Sequence, residues 1–171
     1  MIRKKRLPGF IVGVLSSIFM VATVGNSSGA TTYSILHGFT GASNDGAHPY
    51  DSLTLSGSVL YGMTSGGGNG PDLSGTVFAI NTDGTGFRLL HSFQSQTGNP
   101  PDGAAPLGSL TLSGSTLYGM TSSGGSNGLF NEGEIFRINT DGSGYQVLKN
   151  FYGSSVSSDG RYPNGSLTLS G

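Results

Sequence analysis

Apolar and polar positions alternate with a period of two along most of this chain, and the alternating runs recur. "TVFAIN" at 76–81 puts Phe78 and Ile80 on one face, and "EIFRIN" at 134–139 repeats that face with Phe136 and Ile138. Between them the opposite face changes from Ala79 to Arg137, which predicts a solvent-facing side. "FRLLHSF" at 87–93 predicts a strand with Phe87, Leu89, His91 and Phe93 on one face, and Tyr145, Val147, Lys149 and Phe151 occupy the same places later. Side chains alternate across a strand, so such runs read as half-buried β-strands. No 3.6-residue stripe appears after the first 30 residues.

The alternating runs belong to a repeat of about 57 residues. "DSLTLSGSVLYGMTSGGG" at 51–68 returns as "GSLTLSGSTLYGMTSSGG" at 108–125, a spacing of 57. "GTVFAINTDGTGFRLLHSF" at 75–93 returns as "GEIFRINTDGSGYQVLKNF" at 133–151, a spacing of 58. "DGAHP", "DGAAP" and "DGRYP" begin at Asp45, Asp102 and Asp159. The register shifts in the Gly-rich stretch after "MTS" and before "DG", which marks both as loops. Each unit divides into four strands, "SLTLS", "VLYGMTS", "TVFAIN" and "FRLLHSF". "LSGS" joins the first two and "NTDGTG" the last two, the second with the Asp-Gly pair favoured in hairpins. The "DGxxP" stretch is expected to be a longer loop to the next unit.

The fold class expected is all-β, in β-propeller-like four-stranded antiparallel blades. Two blades are complete, at 52–93 and 109–151, and two are partial: a lone fourth strand at 33–39 and a lone first strand at 166–171. An open β-solenoid or a stack of hairpin sheets is the alternative. Propellers close with roughly 4–8 blades. Exposing about 400 Å² of apolar blade face would forfeit about 10 kcal/mol, so the chain is expected to be a fragment of a larger propeller or to assemble with others. Further C-terminal repeats are expected in a full-length protein.

"MIRKKRLPGFIVGVLSSIFMVATVGNSSGATT" carries a basic stretch at 3–6, an apolar run from Phe10 to Gly25, and small residues Ser28 and Ala30 at cleavage-site spacing. Residues 1–30 therefore read as a signal peptide with no role in the folded core, and the mature chain is expected outside the cytoplasm without a membrane span. Net charge is −1, and only four basic residues follow the first six, so nucleic acid is not an expected partner. With no cysteine, disulfides and thiolate chemistry are excluded.

The stretches "GSLTLSGSTLYGMTSSGG" and "GTVFAINTDGTGFRLLHSF" resemble the GloVer-type "choice-of-anchor" tandem repeats of exported bacterial proteins. The resemblance spans residues 33–171 and implies an exported chain of many such repeats, often with an anchoring or sorting tail that is not seen here. It implies no particular activity.

Candidate chemistry is sparse. His37 and His91 share a repeat position with Lys149, and His48 shares one with Ala105 and Tyr162; a metal shell drawn from equivalent positions would not survive such exchanges. The "NxDGxG" turns hold one Asp and one Asn each, too few for a calcium loop. Asp45, Asp102 and Asp159 either cap turns or line a rim that binds a cation or sugar. Glu132 and Glu134 would point to one face of an extended strand, as solvated edge residues or as a carboxylate pair for acid–base work on a glycan. Phe130 offers a sugar-stacking ring. No catalytic fingerprint and no cofactor site are read. The functions left open are a non-catalytic module that binds a surface glycan or protein, an architectural or adhesive repeat, and a glycan-active enzyme at the propeller axis.

Overall fold

Among the described residues, four hydrogen-bonded sheets with antiparallel strand pairing organise the fold. The computed structural model describes residues 10–15, 18–23, 32–95, 102–125, 132–153 and 159–170, and within these the secondary structure is all strand and turn. The strands are β1 (Phe10–Leu15), β2 (Ile18–Thr23), β3 (Thr32–Gly38), β4 (Gly46–Pro49), β5 (Thr54–Ser56), β6 (Val59–Gly67), β7 (Thr76–Asn81), β8 (Arg88–Ser92), β9 (Gly103–Ala104), β10 (Thr111–Ser113), β11 (Thr116–Thr121), β12 (Ser123–Gly124), β13 (Glu134–Asn139) and β14 (Gln146–Asn150).

The four strands read in each unit are present. In unit one β5 pairs with β6, β6 with β7 and β7 with β8; in unit two the order is β10-β11-β13-β14. The "DGxxP" stretch is more than a loop. In unit one it forms β4, which pairs with the far end of β6, and in unit two it forms β9, paired with β12. Its strand character was hidden because the pairing run is short and ends on a proline, which cannot donate to a ladder. The residue before that proline has left-handed backbone in all three copies, with φ of 57° at His48, 50° at Ala105 and 52° at Tyr162. Three unlike side chains in one unusual conformation show that position is dictated by the backbone path.

A β-bulge revises the reading of the fourth strand. Val77 pairs with His91, but its neighbour Phe78 pairs with Leu89, so the register slips by one. Opposed residues share a face, hence Leu89 and His91 lie on opposite faces rather than together. Phe87 and Leu89 pack with Leu60, Phe78 and Ile80 against Leu36 and Phe39 of the preceding segment. Leu90 and Phe93 turn the other way, into the seam with unit two.

That seam is the main core. Tyr61, Met63, Val77, Ala79 and Phe93 from unit one meet Leu110, Leu117, Phe136 and Ile138 from unit two. Ala79 is fully buried, so the face expected to meet solvent is covered in unit one; only its counterpart Arg137 is exposed. Phe93 meets Phe136 edge-on and Tyr145 stacks on Phe136 there; one junction earlier Phe39 meets Phe78 edge-on and Phe87 lies tilted against Phe78.

Further contacts recur from junction to junction. Thr54 Oγ1 donates to the Leu110 carbonyl, and Thr111 Oγ1 donates to the Leu167 carbonyl at 2.5 Å. Ala105 N donates to the Ser74 carbonyl and Tyr162 N to the Glu132 carbonyl, both at 2.8 Å. Residues 159–170 form no strand, yet they dock on unit two as the equivalent segment of unit two docks on unit one.

The apolar run read as a leader also has a place beside this array. β1 and β2 form a hairpin, and β2 pairs with β3, so the fourth strand at 33–39 is not alone. The backbone register matches the later units. Gly13 lies opposite Met20 as Gly62 lies opposite Phe78 and Gly119 opposite Phe136. The slip between Phe19 and Met20 falls where unit one slips between Val77 and Phe78.

Gly75 illustrates how closely the units approach. Its φ is 109°, and a Cβ there would stand 2.4 Å from the Thr64 carbonyl oxygen and 2.8 Å from Pro106 Cδ. Gly57 also has positive φ, 59°, but opens on free space. Gly75→Ala is therefore expected to cost upwards of about 3 kcal/mol and Gly57→Ala about 1 kcal/mol, measured by urea unfolding; equal costs would show that the junction is loosely packed.

Candidate functional site

His37, His91, the "DG" aspartates, Glu132 and Glu134, all singled out in the sequence, lie at the junctions between units. Each junction joins a histidine or lysine on a fourth strand to the aspartate of the next "DG". His37 Nε2 lies 2.9 Å from Asp45 Oδ1, His91 Nε2 lies 2.6 Å from Asp102 Oδ2, and Lys149 Nζ lies 2.6 Å from Asp159 Oδ2. Histidine and lysine exchange freely here because either can donate to a carboxylate. The other carboxylate oxygen caps the chain three residues beyond that histidine or lysine: Thr40 N donates to Asp45, Gln94 N to Asp102, and Tyr152 N to Asp159. Burial pushes the Asp45 carboxyl up. The His37 ring, the Thr40 amide and hydroxyl and the Gly46 amide outweigh burial and hold it below the usual carboxylate range.

An aromatic ring from the next unit covers each histidine. Phe87 stacks on His37 at 3.7 Å and Tyr145 on His91 at 3.9 Å, both nearly parallel. The three aspartates thus act as turn caps and pair with a histidine or lysine, the first of the two roles read for them. His48 stands apart from both histidine pairs, within β4 beside Pro49.

The second junction carries an addition. Glu134 stands where unit one has Thr76, and Tyr145 where unit one has Phe87. Thr76 Oγ1 lies 2.7 Å from Thr64 Oγ1, which also donates to the Gly66 carbonyl. Glu134 instead accepts a 2.5 Å hydrogen bond from the Tyr145 hydroxyl through Oε1, while Oε2 is buried without a hydrogen-bond partner among the described residues. Glu132 is buried as well, beside Gly153, and its Oε2 is likewise unpartnered among the described residues. Neither is a solvated edge residue: β13 is an inner strand, and the junction covers its start. Gly133, with φ of 98°, breaks the extended geometry between them that would align two carboxylates on a regular strand.

Burial raises the Glu134 carboxyl to about 7; the Tyr145 bond opposes this, the Asp102 charge adds to it, and the Gly103 amide opposes it. Burial and the neighbouring Glu134 push the Tyr145 hydroxyl up, so it stays protonated and remains the donor. Tyr145 was not singled out from sequence. The signal was the joint change of Thr76 to Glu134 and Phe87 to Tyr145 between units, a carboxyl and its donor arriving together.

The "NxDGxG" turns are closed on themselves. Asp83 accepts from the Thr85 amide and hydroxyl, and Asp141 from those of Ser143; these bonds hold both carboxyls below their usual range. Phe130 lies outside the described residues. Among the described residues no group of three or more His, Asp or Glu side chains is placed to hold a metal ion. The arrangement stores a proton on a buried carboxyl and fixes the geometry between two units.

Folded Glu134 holds its proton up to about pH 7, whereas an ordinary glutamate releases it near 4.5. The folded form therefore gains protons relative to the unfolded one between these values, and stability falls as pH rises through that window, by about 3 kcal/mol in all. Urea unfolding from pH 4.5 to 7.5 should show this decline, and Glu134→Gln should flatten it; an unchanged slope in the variant would assign the dependence elsewhere.

No curated protein matches the chain. A family model, the Gloeobacter/Verrucomicrobia repeat, matches residues 17–171, a range that includes β2 as well as both complete units. The match spans well over half of the chain, and the chain belongs to the Gloeobacter/Verrucomicrobia repeat family.

Proposed function

We propose that this chain is an exported, non-catalytic repeat module with blades of the β-propeller type, serving as a surface that binds a glycan or another protein. One observation carries the reading. The polar residues that would furnish a reaction are consumed in holding units together: His37 with Asp45, His91 with Asp102, Lys149 with Asp159, and Glu134 with Tyr145. A general acid must reach its substrate, and the Glu134 side chain is fully buried. Export is supported by the basic, apolar and small-residue order of residues 1–30. The propeller form is supported by the antiparallel four-stranded units and their regular junctions.

The reading is tested on polysaccharide and glycan panels scored for both retention and release of reducing ends. Retention without turnover is expected, unchanged in Glu134→Gln. Turnover abolished by that substitution would make the chain an enzyme. Export is tested by N-terminal sequencing of the chain recovered outside the cytoplasm, which should begin at Thr31; a chain retained in the cytoplasm with its first 30 residues would refute it.

A further inference from the structure

One position in each unit breaks a habit of this chain. Where the backbone turns to positive φ the residue is mostly glycine, as at Gly57, Gly84 and Gly142. Five described residues other than glycine adopt such angles, and three of them, His48, Ala105 and Tyr162, precede the proline of "DGxxP". A following proline steers its neighbour toward extended backbone, so a side chain at this position is doubly disfavoured. A fourth, Leu73 with φ of 48°, directly precedes Ser74, whose carbonyl accepts the Ala105 N–H. Glycine would relieve the strain at each of these places, yet each keeps a side chain.

Backbone bonds alone hold the position. Ala105 N donates to the Ser74 carbonyl of the preceding unit, and the Ala105 carbonyl accepts from Ser122 N at 3.1 Å and Ser122 Oγ at 2.8 Å within its own. Tyr162 N donates in the same way to the Glu132 carbonyl, and Ser65 Oγ donates to the His48 carbonyl at 3.3 Å. The side chains are turned outward instead. His48 is exposed, with its ring beside Gly66, where a Cβ would stand 3.5 Å from His48 Cδ2. Ala105 is partly exposed, Leu73 is 49% exposed, and Tyr50, two residues beyond His48, is 63% exposed. The "DGxxP" stretch and the loop after β6 lie at the same end of the sheet, because β4 pairs with the far end of β6. Each unit thus presents one rigidly placed side chain on a common rim, and its chemistry changes from unit to unit.

We infer that this rim reads the ligand of the array, with His48, Ala105 and Leu73 as contact residues and a neutral glycan chain as the ligand. The inference rests on the binding reading above and gives it a place and a ligand class. Single side chains set among Ser65, Gly66, Ser74 and Ser122 suit a polymer of small hydroxylated units; a protein partner requires about 800 Å² of matched surface on each side. Between "DG" and proline, units one and two carry Ala47, His48, Ala104 and Ala105 and no lysine or arginine, which leaves a phosphate or sulfate group without a counter-charge there. The exposed Tyr50 ring offers an apolar face with a hydroxyl at its tip, the combination a sugar ring presents in turn.

Affinity chromatography of the chain on an immobilised glucan, mannan, galactan and xylan, run beside thermal melting, is the test. The wild type should be retarded on at least one of the four, equally at low and high salt. His48→Gly should weaken that retention about threefold to tenfold, the loss of one ring contact, and melt no lower than the wild type. Ala105→Tyr, which copies Tyr162, should strengthen retention or extend it to a second polysaccharide at unaltered melting. Retention that both variants leave intact overturns the inference alone and keeps the binding reading. A wild type that none of the four retards overturns the inference together with the glycan reading beneath it. Retention abolished by salt points to a charged ligand and overturns it, and a fall in melting in His48→Gly does so by assigning the side chain to the fold.

Discussion

The seam between adjacent sheets is the interaction on which everything else in this molecule depends. A four-stranded sheet of this length has two faces and little thickness, and it cannot bury its own apolar residues. Val77, Ala79, Tyr61 and Met63 leave water only because Leu117, Phe136 and Ile138 of the next unit lie against them. Burying one large apolar side chain contributes about 1.5–3 kcal/mol, so a seam of this composition matches a domain's net stability in scale. The polar contacts around it mainly set where the units sit: a threonine hydroxyl on a neighbouring carbonyl, a histidine or lysine on an aspartate, an aromatic over the histidine.

This explains why the chemistry-bearing residues recur with the repeat instead of gathering in one place. A pair such as His91 and Asp102 is needed wherever a fourth strand hands over to the next "DG". Glu134 and Tyr145 are the exception, a local exchange of the Thr76 hydroxyl for a carboxyl and of the Phe87 ring for a phenol in an otherwise shared frame. Their presence changes the electrostatics of one junction without altering its geometry, since Tyr145 stacks on His91 just as Phe87 stacks on His37.

Much of the architecture was legible in the sequence, because strand positions follow from alternation and from Asp-Gly turns. β6, β7, β8, β11, β13 and β14 fall where "VLYGMTS", "TVFAIN", "FRLLHSF" and their copies placed them. What was not legible depends on pairing between segments. β4 is four residues ending in proline and acquires strand character only from the extended end of β6. The bulge at Leu90 leaves no mark on hydrophobicity, so Leu89 and His91 read as one face until their partners are known. Glu134 looked solvated because a carboxylate on a strand usually is, and only the packing of the second junction reverses that. The pairing of the apolar leader-like run with β3 was likewise invisible, since a run rich in Val, Ile and Phe suits a strand and an export signal equally.

The bulge in the fourth strand has a consequence for how the array comes apart. By shifting register midway, β8 and the residues flanking it give Phe87 and Leu89 to the core behind and Leu90 and Phe93 to the core ahead. One strand is thus a member of two hydrophobic cores at once, and neither can open without disturbing the other. Repeat proteins are often treated as beads whose stabilities add, with a separate coupling term between neighbours. Here the coupling runs through a shared strand, which makes adjacent units a cooperative pair and leaves little room for one to unfold while its neighbour stays intact.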